Sequence, residues 1–188
     1  MNVGFLLAAL HIDFLCEKST PGDVKLGLTA LPNTLTDAYD KTYNHILQQE
    51  GSARRLALNA FCWIKYSYGP LCSKTLLDAI TVEVSDSGEF SYSDTGFTAN
   101  DLLNACQGLL ILDERLDVFR FAHLSVDEFL ETQLCKHDPH TVIAKVCFSL
   151  LCTPSACDDY DTELKTSEGH YWDRHLLLYS AVFWPWHL

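Results

Sequence analysis

The residue whose setting most invites chemistry is His123, within Arg120-Phe121-Ala122-His123-Leu124-Ser125-Val126-Asp127-Glu128-Phe129-Leu130. A short β-branched and aromatic run, Val118 to Ala122, ends there and a helix begins. Ser125 and Glu128 have the S-x-x-E spacing of a capping box, in which each side chain satisfies an unpaired backbone N–H at the other's residue. Leu124 is expected to close on Phe129 as a hydrophobic staple that fixes the chain's entry into the helix. His123 is then expected two residues before a helix N-terminus, where unpaired N–H groups and the positive end of the helix dipole favour an anion. The plainer alternative is a satisfied histidine at the end of a strand.

The other chemical candidates are weaker. Gly69-Pro70-Leu71-Cys72-Ser73-Lys74-Thr75 approximates a phosphate-binding loop, but Ser73 stands where a glycine is required, Pro70 removes an N–H and no strand precedes it. Cys135-Lys136-His137-Asp138-Pro139-His140 has zinc-ligand types at tight spacing, yet no C-x-x-C partners it, and Cys147 and Cys152 lie in an apolar helical run. No metal site is expected. Asp158-Asp159, Asp161 and Glu163 fall in a polar stretch that reads as solvated surface. Neither a nucleophile elbow nor an oxyanion loop accompanies any serine or cysteine, so no catalytic residue is assigned and no catalysis by this chain alone is expected.

The bulk composition bounds the partners. At 188 residues the chain is long enough to bury roughly 70% of its unfolded surface without staples. Thirteen basic against 25 acidic residues give −12, with the acids spread along the chain. That balance argues against nucleic acid, whose binding rests on basic surface, and against anionic membranes. The eight cysteines lie mostly in apolar segments, as small buried hydrophobes rather than a disulfide framework. The run Val3 to Leu10 follows no basic residue and is succeeded by His11 and Asp13, which is unlike a signal peptide. No stretch nears the ~20 apolar residues that span a bilayer. A reduced, cytoplasmic protein is the expectation.

The elements that must position His123 follow from periodicity and caps. Helices are predicted over Phe5 to Cys16, from a loop and helix start at Thr20-Pro21-Gly22-Asp23 to about Ala30, behind a capping box at Thr34-Leu35-Thr36-Asp37, and over Arg54 to Tyr66, the last apolar nearly all round and therefore central. Because a core helix comes so soon after Met1, Met1 is expected to open a fragment. Ser73 is expected to cap a short helix through Ile80, residues 85 to 97 to form a loop, and Thr98 to cap a helix ending near Gly108. Leu109 to Leu112 and Val118 to Ala122 flank a turn as a β-hairpin. Beyond it come an apolar helix from Thr141 to Cys152, a polar loop over 153 to 169, and a last helix from Trp172 to Trp184 broken at Pro185. The expected fold is mainly α with a small β-hairpin wing. A winged-helix domain occupies residues 50–134, between helical segments at 1–49 and 135–188. The terminal Phe183-Trp184-Pro185-Trp186 predicts an apolar surface open to a partner.

Phe121-Ala122-His123-Leu124-Ser125-Val126-Asp127-Glu128-Phe129-Leu130 resembles the F-x-H-x-S-x-x-E-[FY]-L signature that closes the winged-helix domain of NACHT-type signalling NTPases, the Nod-like receptors and their fungal relatives. Gly4-Phe5-Leu6-Leu7-Ala8 through Leu15 is similar to the helix preceding that domain. Leu31-Pro32 with Leu35, Tyr39-Asp40 and Ile46-Leu47 resembles a fungal L-P-x-x-L-x-x-x-Y-x-x-I-L stretch in approximate phase. Pro70-Leu71 followed by Leu76-Leu77-Asp78-Ala79-Ile80 is similar to P-L-[ST]-x-x-x-L-x-x-A-[IV]. Tyr179, Ala181, Trp184-Pro185 and His187-Leu188 resemble the Y-A-x-x-Y-W-x-x-H segment that leads into ankyrin or other repeats.

The resemblance implies that residues 1–49 end an NTPase-associated helical domain and that residues 135–188 lead towards repeats. It also implies that His123 touches the β-phosphate of ADP in the resting, intact protein. No Walker motif occurs in this sequence, so ADP or ATP would be held mainly by an NTPase domain outside it, with no cofactor bound by this chain alone. The expected function is a regulatory module relaying nucleotide state between a NACHT domain and C-terminal repeats in cis, with an oligomer as a further protein partner. A stand-alone protein-interaction scaffold is the first alternative, and a winged-helix nucleic-acid binder the second, opposed by the net charge.

Overall fold

The computed structural model describes residues 7–8, 11–12, 15–16, 18–29, 31–32, 34–84, 90–92, 96–134, 138–152 and 174–188. Residues 7–8, 11–12 and 15–16 are helical, and the rest of the helix expected from Phe5 lies outside the described residues. Thr20 opens helix α1 (Pro21–Thr29) by accepting the Asp23 N–H at 3.2 Å. Thr34, in an extended conformation, accepts the Asp37 N–H at 3.1 Å and opens α2 (Leu35–Gln48). This second helix is amphipathic, burying Ala38, Tyr39, Tyr43 and Ile46 and exposing Asp37, Lys41, Asn44 and Gln48.

Gly51, at φ 66°, turns the chain into α3 (Ser52–Tyr66) through a left-handed conformation that favours glycine. A Cβ at Gly51 would meet nothing within 4 Å, so the demand is conformational and not steric crowding. Leu56, Ala57, Ala60, Phe61, Cys62 and Trp63 of α3 are buried, against α2 and most of the elements that follow. It is the central helix, as its all-round apolarity predicts.

Helix α4 (Ser73–Thr81) corrects one expectation. Cys72, not Ser73, is the residue at its N-cap, and no side chain caps there. Ser73 instead donates its hydroxyl to Asp117 Oδ1 and its N–H to the Asp117 carbonyl at 2.8 Å, while Cys72 forms an isolated antiparallel bridge with Val118. The long-range partner outcompetes the local cap. The loop expected at 85–97 is also corrected in part. Strands β1 (Val82–Val84) and β2 (Phe90–Tyr92) pair antiparallel with Val82 opposite Tyr92 and Val84 opposite Phe90; residues 85–89 and 93–95 lie outside the described residues.

Thr98 and Asp101 form a reciprocal capping box at the start of α5 (Ala99–Ala105). After Gln107 and Gly108, at φ 50° and 76°, the chain enters β3 (Leu110–Asp113) and returns as β4 (Val118–Phe121), with Leu110 opposite Phe121. Helices α6 (Leu124–Leu134), α7 (Pro139–Leu151) and α8 (Arg174–Phe183) follow, and a 3-10 turn, Trp184–His187, carries Pro185 at its start. The polar loop expected over 153–169 lies outside the described residues. The described chain is mainly helical with small antiparallel hairpins, and no described helix is long and apolar enough to cross a membrane.

One apolar core draws on described residues from Ala38 to Tyr179. Ile46, Phe61, Ile80, Leu102, Leu109, Leu130, Ile143 and Leu176 are all at 0% exposure within it. Cys62, Cys106 and Cys147 are buried as expected, and burial pushes their thiols up, to about 11 for Cys62. Cys16 and Cys152 are exposed, contrary to expectation, and Cys135 and Cys157 lie outside the described residues. Replacing Phe61 with Ala removes a fully buried ring from α3 and is expected to destabilise the fold by about 3–5 kcal/mol. Urea unfolding measures it, and an unchanged midpoint would contradict this account of the core.

Candidate functional site

The junction between β4 and α6 differs locally from the expected capping box. Ala122 still extends the hairpin, donating its N–H to the Leu109 carbonyl at 3.0 Å, but α6 begins at Leu124, one residue beyond His123. The His123 carbonyl accepts from the N–H groups of Val126 at 3.0 Å and Asp127 at 3.4 Å. Its ring nitrogen Nδ1 accepts the Ser125 N–H at 3.1 Å. His123 is therefore itself the cap. Nδ1 occupies the position on the side chain that Oδ1 has in asparagine, a preferred capping residue, and reaches the same N–H.

Ser125 lies inside the first turn and does not cap. Its Oγ sits 2.7 Å from His123 Nδ1 and 2.8 Å from the Tyr39 hydroxyl of α2. Glu128 is exposed, and Leu124, at 67% exposure, forms no staple. Phe129 packs instead on Tyr39 and Tyr43, with ring centroids 5.4 and 6.0 Å apart. Across α6, Lys65 Nζ of α3 lies 2.7 Å from Asp127 Oδ1 and 3.3 Å from Glu131 Oε2. Burial pulls the Lys65 ammonium down, but these two carboxylates outweigh it and hold it above its ordinary range. Arg120 is likewise engaged, 3.1 Å from Asp113. The half-buried His123 ring thus meets the first turn of α6 with Nδ1 used inward, and among the described residues Nε2 has no hydrogen-bond partner.

The other candidates separate. In the glycine-containing stretch 69–75, residues 69–72 lead into α4, which begins at Ser73, and Ser73 is tied to Asp117. Of the zinc-like cluster, Cys135, Lys136 and His137 lie outside the described residues, as do Asp158, Asp159, Asp161 and Glu163. His140 turns to another histidine, its Nδ1 3.0 Å from Nδ1 of His187. Among the described residues no group of three or more His, Cys, Asp or Glu is arranged to hold a metal.

A second cluster escaped the sequence reading. His187, 2% exposed, places Nε2 2.9 Å from the Tyr179 hydroxyl, which accepts the Tyr68 N–H at 3.1 Å. The Tyr68 hydroxyl in turn donates to the Trp186 carbonyl at 2.8 Å. Burial, aided by His140, lowers the His187 imidazole to about 4. The terminal aromatic segment is therefore partly folded back, whereas Trp186 and Leu188 remain open, at 67% and 90% exposure. The visible signal was the Tyr179 to His187 spacing across the Pro185 break.

No family model matches the chain, and no solved structure matches it. The chain is similar to the azaphilone pigments biosynthesis cluster protein L of Monascus ruber, 24% identical over 174 residues, a match covering 80% of this chain and 36% of that protein. It spans little more than a third of that relative's length.

The His187 environment sets a pH dependence. The folded value lies near 4 against an ordinary 6.5, so below 6.5 the unfolded chain takes up a proton that the folded chain refuses. Stability from this group is fully present above 6.5 and is lost as pH falls towards 4. Thermal melting followed over that window is expected to show a steeper decline for the native sequence than for His187→Gln, and parallel curves would contradict it.

Proposed function

We propose that this chain is the winged-helix and flanking helical portion of a fungal-type NACHT signalling NTPase, and that His123 is its contact to nucleotide phosphate. The carrying observation is His123 at the N-cap of α6, with Nδ1 taken up by the helix start and Nε2 without a partner among the described residues. One ring N–H beside the positive end of a helix suits a phosphate oxygen. The order α3, α4, α5, then the β3–β4 hairpin and α6 supports the winged-helix reading. The bridge from Cys72 to Val118 adds a third strand position to that hairpin.

In this reading the chain does not hydrolyse ATP. It acts in the cytoplasm as a latch between an NTPase domain and C-terminal repeats in the same protein, residues 1–49 ending the NTPase-associated helices and 135–188 leading to the repeats. The remaining nucleotide contacts belong to the NTPase domain, since Lys65 is ion-paired to α6 and Ser73 is bound to Asp117. A hydrogen bond to a charged group is worth about 1.5–3 kcal/mol. Driving a two-state switch from 1:99 to 99:1 takes about 5.5 kcal/mol. His123 therefore biases the closed state, and packing by the surrounding surface supplies the rest.

A second reading, a protein-interaction scaffold, is favoured by one observation. Leu178, Val182, Trp186 and Leu188 are exposed apolar side chains near one another in sequence. A nucleic-acid-binding role is opposed by the −12 charge.

The experiment is His123→Ala in the longer protein that contains the NTPase domain. ADP dissociation is expected to accelerate about 10- to 100-fold, the equivalent of one charge-assisted hydrogen bond. An unchanged dissociation rate, or a longer protein that carries no nucleotide, would overturn the latch.

A further inference from the structure

We infer that Tyr39, acting through Ser125, is the positioning residue that aims a second donor at His123 Nδ1 and so reinforces its Nε2–H tautomer. The ring then offers one N–H donor to an acceptor-only ligand such as a phosphate oxygen, and no lone pair to a metal ion. The choice of phosphate rests on the function proposed above; the tautomer does not.

The inference follows from which atoms possess protons. A backbone N–H can only donate, so the 3.1 Å contact from Ser125 N to His123 Nδ1 requires an unprotonated Nδ1. In the neutral ring the proton then resides on Nε2. The Ser125 hydroxyl, 2.7 Å from the same Nδ1, must donate as well, because neither lone pair facing the other would attract. Serine has one hydroxyl proton, now assigned. The 2.8 Å contact between Ser125 Oγ and Tyr39 must therefore run from the tyrosine hydroxyl to the serine oxygen. The whole relay has one direction, from Tyr39 to Ser125 to His123.

Tyr39 suits the first place in this chain. It is buried on α2, and burial raises its phenol above the ordinary range against a smaller opposing effect of the Ser125 bond, so it keeps its proton. Its ring is also held by Phe129, one turn further along α6 from Ser125. Ring orientation at the site thus depends on α2 staying seated against α6. If α2 moves away, Ser125 loses its donor and its own proton is free to turn, which loosens the lock on Nδ1. Tyr39 never touches the ligand in this scheme.

The test is nitrogen-15 NMR of the histidine side chains in the 188-residue chain at about pH 8, above the ordinary histidine range. His123 is expected as a single tautomer, with an acceptor-type Nδ1 and a protonated Nε2, and added Zn²⁺ is expected to leave its signals in place. In Tyr39→Phe and in Ser125→Ala the Nδ1 signal is expected to move, because the hydroxyl donor is loosened or lost while the Ser125 N–H still donates, with circular dichroism unchanged. Ser125→Thr, which keeps the hydroxyl, is expected to restore the native pattern. A protonated Nδ1 in the native chain, a Tyr39→Phe spectrum superimposable on the native one, or Zn²⁺ binding at His123 would each overturn the relay. Unchanged ADP dissociation in His123→Ala would instead remove the nucleotide and leave the tautomer standing, so the two failures are separable.

Discussion

The burial of α3 is the constraint on which the rest of the chain depends. A helix with Leu56, Ala57, Ala60, Phe61 and Trp63 facing inward on several sides is stable only when other elements cover it. Helices α2, α4, α5, α6 and α7 and strand β4 do so. Lys65, near the end of α3, then meets Asp127 and Glu131 of α6, and Tyr39 of α2 meets Ser125 at the start of the same helix. The first turn of α6 is gripped from two directions. His123 owes its fixed position to that grip and to the hairpin that delivers the chain into it.

What was legible in the sequence was what local chemistry decides. Thr34 and Thr98, each with an aspartate three residues on, both cap their helices because the partner N–H is within the same turn, although the reciprocal half of the expected box is seen only at Thr98. The same reasoning fails at Ser73, whose hydroxyl is drawn to Asp117, 44 residues away, and at Ser125, which lies inside the first turn because His123 is the cap and which accepts from Tyr39, 86 residues away. No local pattern encodes such partners. The β1–β2 hairpin was missed because its strands are three residues long and lie among turn-forming residues. The His140 to His187 contact spans 47 residues and was invisible for the same reason as the serines. The local pattern places His123 near a cap, and in the structure it is the cap.

Two histidines illustrate how context divides one chemistry. His187 is enclosed by Tyr68, Tyr179 and His140, and burial keeps it neutral at ordinary pH. It fastens the 3-10 turn over α7 and serves packing. His123 is half-buried, and of its ring nitrogens only Nδ1 has a hydrogen-bond partner among the described residues. A residue that must meet a ligand needs both the commitment and the opening: the first sets orientation, the second leaves a donor. In the proposed latch the anion that His123 meets is the nucleotide phosphate.

The proposed latch would couple the start of α6 to the nucleotide phosphate, since that ligand would extend a hydrogen-bond chain that already includes α2. Hydrogen–deuterium exchange at residues 123–127 in the longer protein addresses that coupling directly. The account predicts slower exchange there in the ADP-loaded protein than with a non-hydrolysable ATP analogue. Equal exchange in the two nucleotide states would contradict it.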